Sequence, residues 1–221
     1  MNCPLCSHSN VDLFTQDKIR NYFECHNCHL VFVDPTALPS VEAEKGEYEL
    51  HQNDDDDVGY LQFLDRARLP LLEFAYIGTT GIDFGCGPNP VLAKRLQVDG
   101  YNMKYYDPIF FPDSHVLGKH AYDFIVCTEA IEHFHSPKVE WRLWQRLLKP
   151  TGYLVIMTKR WLSKERFQHW HYKNDKTHVS FFHLSTFEYL AEQSQFEIKY
   201  VSDDVVVMQR NATHDIISDS N

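Results

Sequence analysis

The stretch Gly81-Ile82-Asp83-Phe84-Gly85-Cys86-Gly87-Pro88-Asn89-Pro90 constrains this chain more than any other. It reads as a short buried strand over 81–84 that breaks into a tight glycine turn and enters a helix over 90–97. Neither Gly85 nor Gly87 carries a Cβ, so the backbone can take positive φ there and a ligand can approach it closely. A helix start just behind them offers unpaired N–H groups and the positive end of a dipole. The dinucleotide fingerprint GxGxxG is excluded, because no glycine stands at Asn89 or Pro90. A strand–turn–helix connection of this kind is common, so its use depends on the rest of the domain.

Beyond the turn, strands and helices alternate. Residues 102–106 read as a second strand, with Asp107 at its carboxyl end. Residues 122–127 form another strand, a helix covers 137–148, and 153–158 return as a strand. A helix over 185–194, with Ser185 as its N-cap, precedes a closing antiparallel pair over 196–201 and 205–209. Such alternation implies a parallel sheet with right-handed crossovers, and a ligand at the carboxyl ends of its strands. Asp107 lies 20 residues beyond Gly87, where a carboxylate can accept from both hydroxyls of a ribose.

The first 35 residues obey a different rule. Cys3-Pro4-Leu5-Cys6 and Cys25-His26-Asn27-Cys28 are separated by 18 residues, the spacing of a four-thiolate zinc site. Two-residue spacers let both sulfurs of a turn face one tetrahedral ion. With short strands at 11–14, 22–24 and 30–33, this resembles a zinc ribbon. His8, His26 and His29 read as surface residues, since four thiolates close the shell. Residues 36–58 are acidic and read as a solvated connector, with Tyr48 and His51 as candidate lid residues. Residues 59–210 form the main domain, opening on a helix at 60–75 in which Pro70 marks a kink or a fresh start. Residues 211–221 read as a frayed tail.

A chain of 221 residues, 43 % of them hydrophobic, can bury one full α/β domain with a small appendage. Its net charge of −10 speaks against an unassisted nucleic-acid binder, which needs concentrated Lys and Arg. No apolar run reaches the roughly 18 residues of a membrane span, and Met1-Asn2-Cys3-Pro4 lacks signal-peptide character. Paired cysteines without a disulfide pattern point to the cytoplasm.

Four motifs in order, Gly81 to Gly87, Tyr105-Tyr106-Asp107, Tyr122 to His133 and Leu147 to Leu154, resemble the class I S-adenosylmethionine-dependent methyltransferases. The resemblance covers residues 81–159. It implies a Rossmann-like, doubly wound, seven-stranded and mostly parallel sheet, with S-adenosylmethionine as cofactor beside the ribbon's zinc. It assigns the methionine part to Asp83, Gly85 and Gly87, the ribose to Asp107 and the sulfonium end to Thr128 and Glu129, with Cys86 and Pro108 also in the cofactor site. Without the resemblance, Glu129 and Glu132 read as a solvated helix start. Sixteen residues from Asp107 to Asp123 compress the unit that usually supplies an adenine-binding acid. Phe110, Phe111 and the backbone of 113–116 are the expected substitutes.

Residues 161–183 carry His169, His171, His178 and His183 and would pass over the strand ends. They resemble an insertion in a ribbon-bearing subset of these enzymes, built around Asp-x-Thr-His-Val-x-Phe. Methyl transfer needs an aligned nucleophile and, for oxygen or nitrogen, removal of a proton. His178 is the first candidate base, with Asp175, His133 and His171 behind it. The same four residues could instead hold a second metal, or the segment could serve only as a structural lid. The expected function is methylation of a small-molecule or sugar-like acceptor. RNA methylation through the ribbon, and a non-catalytic adaptor, stand as alternatives.

Overall fold

A computed structural model of the protein describes residues 1–48 and 56–212. Strands β1 (Val11–Gln16), β2 (Asn21–Cys25) and β3 (Val31–Val33) form an antiparallel meander behind the cysteine turns. Each Cys-x-x-Cys turn ends on a left-handed residue, Ser7 at φ 64° and His29 at φ 58°. The N–H of that residue closes the turn on the first cysteine's carbonyl, at 2.9 Å for Ser7 to Cys3 and 2.7 Å for His29 to Cys25.

The connector contains a helix, α1 (Val41–Tyr48), whose Glu44 is buried. This corrects the expectation of a purely solvated linker. The side chain of Tyr48, and His51, lie outside the described residues. Asp57 caps α2 (Val58–Phe74), accepting from the N–H groups of Gly59 and Tyr60 at 2.8 and 3.1 Å. The helix runs through Pro70 without a fresh start.

The chain continues as β4 (Thr80–Phe84), α3 (Val91–Val98), β5 (Asn102–Tyr106), β6 (Tyr122–Thr128), α4 (Pro137–Leu147), β7 (Leu148–Met157), α5 (Lys164–Gln168), β8 (Ser180–Phe181), α6 (Leu184–Ser194), β9 (Phe196–Val201) and β10 (Val205–Arg210). His183, not Ser185, caps α6: its Nδ1 accepts from the Ser185 N–H at 3.1 Å. The main sheet has the order β5-β4-β6-β7-β10-β9, parallel from β5 to β7, with β10 antiparallel to both neighbours. The expected mixed α/β architecture with a mostly parallel sheet is present. Its strand count among the described residues is six rather than seven. Residues 108–121 cannot hold a helix and another parallel strand, since one such crossover alone takes about a dozen residues.

Alternation along the strands buries both faces. Ile82, Phe84, Ile125, Cys127 and Ile156 pack with Trp141 and Trp144 of α4 and Phe187 of α6. Phe124, Val126, Val155 and Met157 pack with Leu64 and Leu71 of α2 and Leu92 and Leu96 of α3. The ribbon enters the first of these cores through Cys3, Leu5, Cys25, Leu30 and Phe32. Its sheet is completed by β8 from the histidine-rich segment, which pairs Phe181 with Val31 and Ser180 with Phe32. A third apolar cluster seals the join, with Phe14, Tyr22 and Val33 against Trp161, Phe167 and Tyr172.

Candidate active site

Strand β4 carries Asp83 to its carboxyl end, where the residue is 2 % exposed. Burial, helped by the negative Asp107 nearby, pushes its carboxyl up to about 7. Among the described residues its Oδ1 has no hydrogen-bond partner. Gly85 has φ +79°, and a Cβ there would stand 2.5 Å from that of Ala130. Gly87 has φ +65°, with open space where its Cβ would be. Asp107 ties this turn to the one after β5. Its Oδ2 accepts from the Gly87 N–H at 3.0 Å, and its Oδ1 from Ile109 and Phe110 at 2.9 and 3.0 Å.

A cleft of about 410 Å³ opens at this edge. All eight residues assigned to the cofactor line it: Asp83, Gly85, Cys86, Gly87, Asp107, Pro108, Thr128 and Glu129. So do the three catalytic candidates His133, Asp175 and His178. His171 does not; it is exposed, while its neighbours Tyr172 and Lys173 in the same turn are buried. Of the adenine candidates only Phe110 reaches the cleft. Phe111 packs on Tyr105 with ring centroids 4.9 Å apart, and 113–116 form a separate 3-10 turn.

Glu44, Tyr60, Phe63 and Glu132 also line the cleft, and sequence reasoning missed them as site residues. Tyr60 and Phe63 stand three apart on α2, a spacing that signals a shared helix face without saying what it covers. Glu132 is no solvated helix start, for it is 0 % exposed. Its Oε2 accepts from the Thr158 hydroxyl at 3.0 Å, and its Oε1 accepts from the Tyr172 hydroxyl. The same hydroxyl lies 3.2 Å from Oε2 of Glu129, a residue held at φ 47°. Burial above all pushes both glutamates up from the ordinary carboxylate range.

His178 is buried. Its Nδ1 donates to the Tyr172 carbonyl at 2.8 Å, and its Nε2 lies 3.7 Å from Asp175 Oδ2. His133 Nδ1 donates to the Thr177 carbonyl at 3.1 Å. A carbonyl can only accept, so in both rings Nδ1 bears hydrogen and the neutral imidazole keeps its lone pair on Nε2. Asp175 holds the loop's turn, its Oδ1 accepting from the Thr177 N–H and hydroxyl at 2.8 and 2.6 Å.

The ribbon cysteines converge away from this cleft. Cys3 and Cys28 sulfurs lie 3.5 Å apart, as do those of Cys6 and Cys25, and all four fall within 4.8 Å of one another. A disulfide needs about 2.05 Å. Tetrahedral zinc with Zn–S near 2.3 Å sets sulfurs about 3.8 Å apart, which this group fits.

The family described as "Methyltransferase domain" matches residues 49–201. A solved S-adenosylmethionine-dependent methyltransferase fold from Methanococcus maripaludis is similar at TM-score 0.54 and 15 % identity, covering 80 % of this chain and 95 % of that one. Another from Archaeoglobus fulgidus is similar at TM-score 0.52 and 13 % identity, over 67 % and 93 %. No curated protein matches the sequence.

Proposed function

Because the chain belongs to the methyltransferase-domain family, as an S-adenosylmethionine-dependent enzyme, we propose that it methylates a small-molecule or sugar-like acceptor. The observation that carries this is one continuous cleft, running from the glycine turn to Glu132, His133 and His178. When bound, S-adenosylmethionine would supply a methyl group activated on a sulfonium. The chain's own residues bind, orient and deprotonate.

The buried, unpartnered Oδ1 of Asp83 suits the ammonium of the methionine part, with the Gly85-Cys86-Gly87 backbone beside it. Asp107 and Pro108 would hold the ribose, and Thr128 and Glu129 the sulfonium end. A cleft of about 410 Å³ lies low in the range of about 300–1,000 Å³ for small-molecule sites, favouring a compact acceptor. The net charge of −10 favours a metabolite over nucleic acid.

At the acceptor end stand His178, Asp175 and His133. The Nε2 lone pair of His178 can take the acceptor's proton directly, or hold a cation that acidifies the acceptor. Both uses need the tautomer that the Tyr172 carbonyl enforces. The four thiols of Cys3, Cys6, Cys25 and Cys28 are assigned a structural zinc, closed to substrate by four ligands.

A screen of hydroxylated and aminated metabolites, and of tRNA, with methyl-labelled cofactor tests the acceptor class. Label transferred to a small polyol or amine is expected. Label in tRNA alone would overturn the acceptor class, and a chain unable to bind the cofactor by calorimetry would overturn the site.

A further inference from the structure

Glu132, His133 and His178 come from two separate segments, yet one ligand atom of each lies within 4.8 Å of the others. The two imidazole rings meet edge to face with centroids 4.7 Å apart. Both have their Nδ1 hydrogen directed to a main-chain carbonyl, Tyr172 for His178 and Thr177 for His133. Metal-binding histidines are oriented in this way, by an outer hydrogen bond that fixes the tautomer and raises the basicity of the other nitrogen. The carboxylate of Glu132 has the matching outer support, from the hydroxyls of Thr158 and Tyr172. Asp83, Glu129 and Asp175 add further acidic side chains to the same cleft. Burying that many carboxylates costs free energy that a cation offsets.

We propose that Glu132, His133 and His178 form a divalent-cation site at the acceptor end of the cleft. This rests on reading the cleft as the methyl-transfer site and deepens it by choosing between the two uses of His178. Two neutral imidazoles and one carboxylate suit a divalent first-row ion, the imidazoles favouring Zn²⁺ and the carboxylate admitting the harder Mn²⁺. Three protein ligands leave coordination positions open, as in catalytic metal sites. The acceptor that fits is one with two neighbouring oxygens, such as a vicinal diol, able to fill two of those positions. The ion lowers the pKa of the hydroxyl it holds, and the released proton passes to solvent. Glu132, His133 and His178 are thus ligands that act on the acceptor through the ion.

The test uses the full chain with its ribbon cysteines intact. Mn²⁺ is the probe, because thiolates prefer softer ions and the ribbon should not take it up. Titration followed by the electron paramagnetic resonance signal of free Mn²⁺ should show one equivalent bound, displaceable by Zn²⁺. His133→Gln and Glu132→Gln should each weaken it at least tenfold, with the thermal midpoint and S-adenosylmethionine affinity measured on the same samples. Cofactor binding without any Mn²⁺ or extra Zn²⁺ equivalent overturns the cation site and leaves the methyl-transfer reading standing. Mn²⁺ binding unchanged in both folded variants also overturns it. Mn²⁺ binding lost in the variants but without cofactor affinity in the parent supports the site and strikes the methyl-transfer reading instead.

Discussion

Nη1 of Arg20 donates to the main-chain carbonyl of His178 at 3.0 Å, so an arginine of the N-terminal ribbon holds a residue of the cleft 158 positions further along. The same guanidinium reaches the carbonyls of Lys176 at 3.1 Å, Asp175 at 3.0 Å and Lys173, while its Nε donates to the Tyr22 hydroxyl at 3.2 Å. Lys173 is tied to the ribbon in turn, through an ion pair with Asp17 at 3.0 Å. The ribbon therefore forms the scaffold of the histidine loop.

Arg20→Ala should lower turnover at least tenfold while leaving cofactor affinity within about twofold, since among the described residues its side-chain bonds go to Tyr22 and to carbonyls within 173–178. Each lost charge-assisted bond is worth about 1.5–3 kcal/mol, not additively. Arg20→Lys should restore little, because an ammonium lacks the planar fork that serves several carbonyls at once. A kcat split from KM, with cofactor calorimetry alongside, checks this. A purely structural arginine would lower stability and active fraction together, without changing kcat per folded molecule.

Zinc removal should reach the cleft by the same route. Metal analysis should find a zinc equivalent that is lost in a Cys3→Ser/Cys25→Ser double variant. Because β8 pairs with β3 and the ribbon cysteines join the main core, the loosened region should extend beyond residues 1–35. Amide exchange in 172–182 should speed up and turnover should fall. Cofactor affinity should fall far less, as the glycine turn sits on β4.

Asp83 should make the protein less stable as pH rises. Its carboxyl titrates near 7 when folded and near 3.8 when unfolded. Between those values the folded state holds the extra proton, so stability is full below about pH 4 and is lost towards pH 7. The slope is at most about 1.4 kcal/mol per pH unit. Chemical denaturation from pH 5 to 7.5 should show this fall in the parent and a shallower one in Asp83→Asn. Added S-adenosylmethionine, by pairing its ammonium with the carboxylate, should flatten the parent's slope.

The two turn glycines should respond differently. Gly87→Ala meets open space and costs only the positive φ, about 1–2 kcal/mol. It should weaken cofactor binding tenfold or more with a small shift in thermal midpoint. Gly85→Ala adds the contact with Ala130 at 2.5 Å, so it should lower stability as well as binding. Asp107→Ala releases three main-chain N–H groups and should weaken the cofactor by at least tenfold. Calorimetry and thermal melts on the three variants separate these outcomes.

The alternation of strands and helices, the glycine turn with Asp83 and Asp107, and the two cysteine pairs are all legible in the residue order. These are local properties. Strand and helix periods are set by the side chains within one element, positive φ by the residue that must adopt it, and ligand spacing by the turn that carries it. The remaining features come from long-range packing. The two-residue strand β8 is too short to show a period, and only the open edge of β3 makes it a strand. Glu132 enters the cleft in place of His171 because a 3-10 turn after β6 directs it inward, beneath Tyr172. The bond from Arg20 to His178 has no signature in either segment, since it depends on folding one against the other. The chemistry of the cleft is therefore written in residues far apart in the chain, and packing alone brings them together.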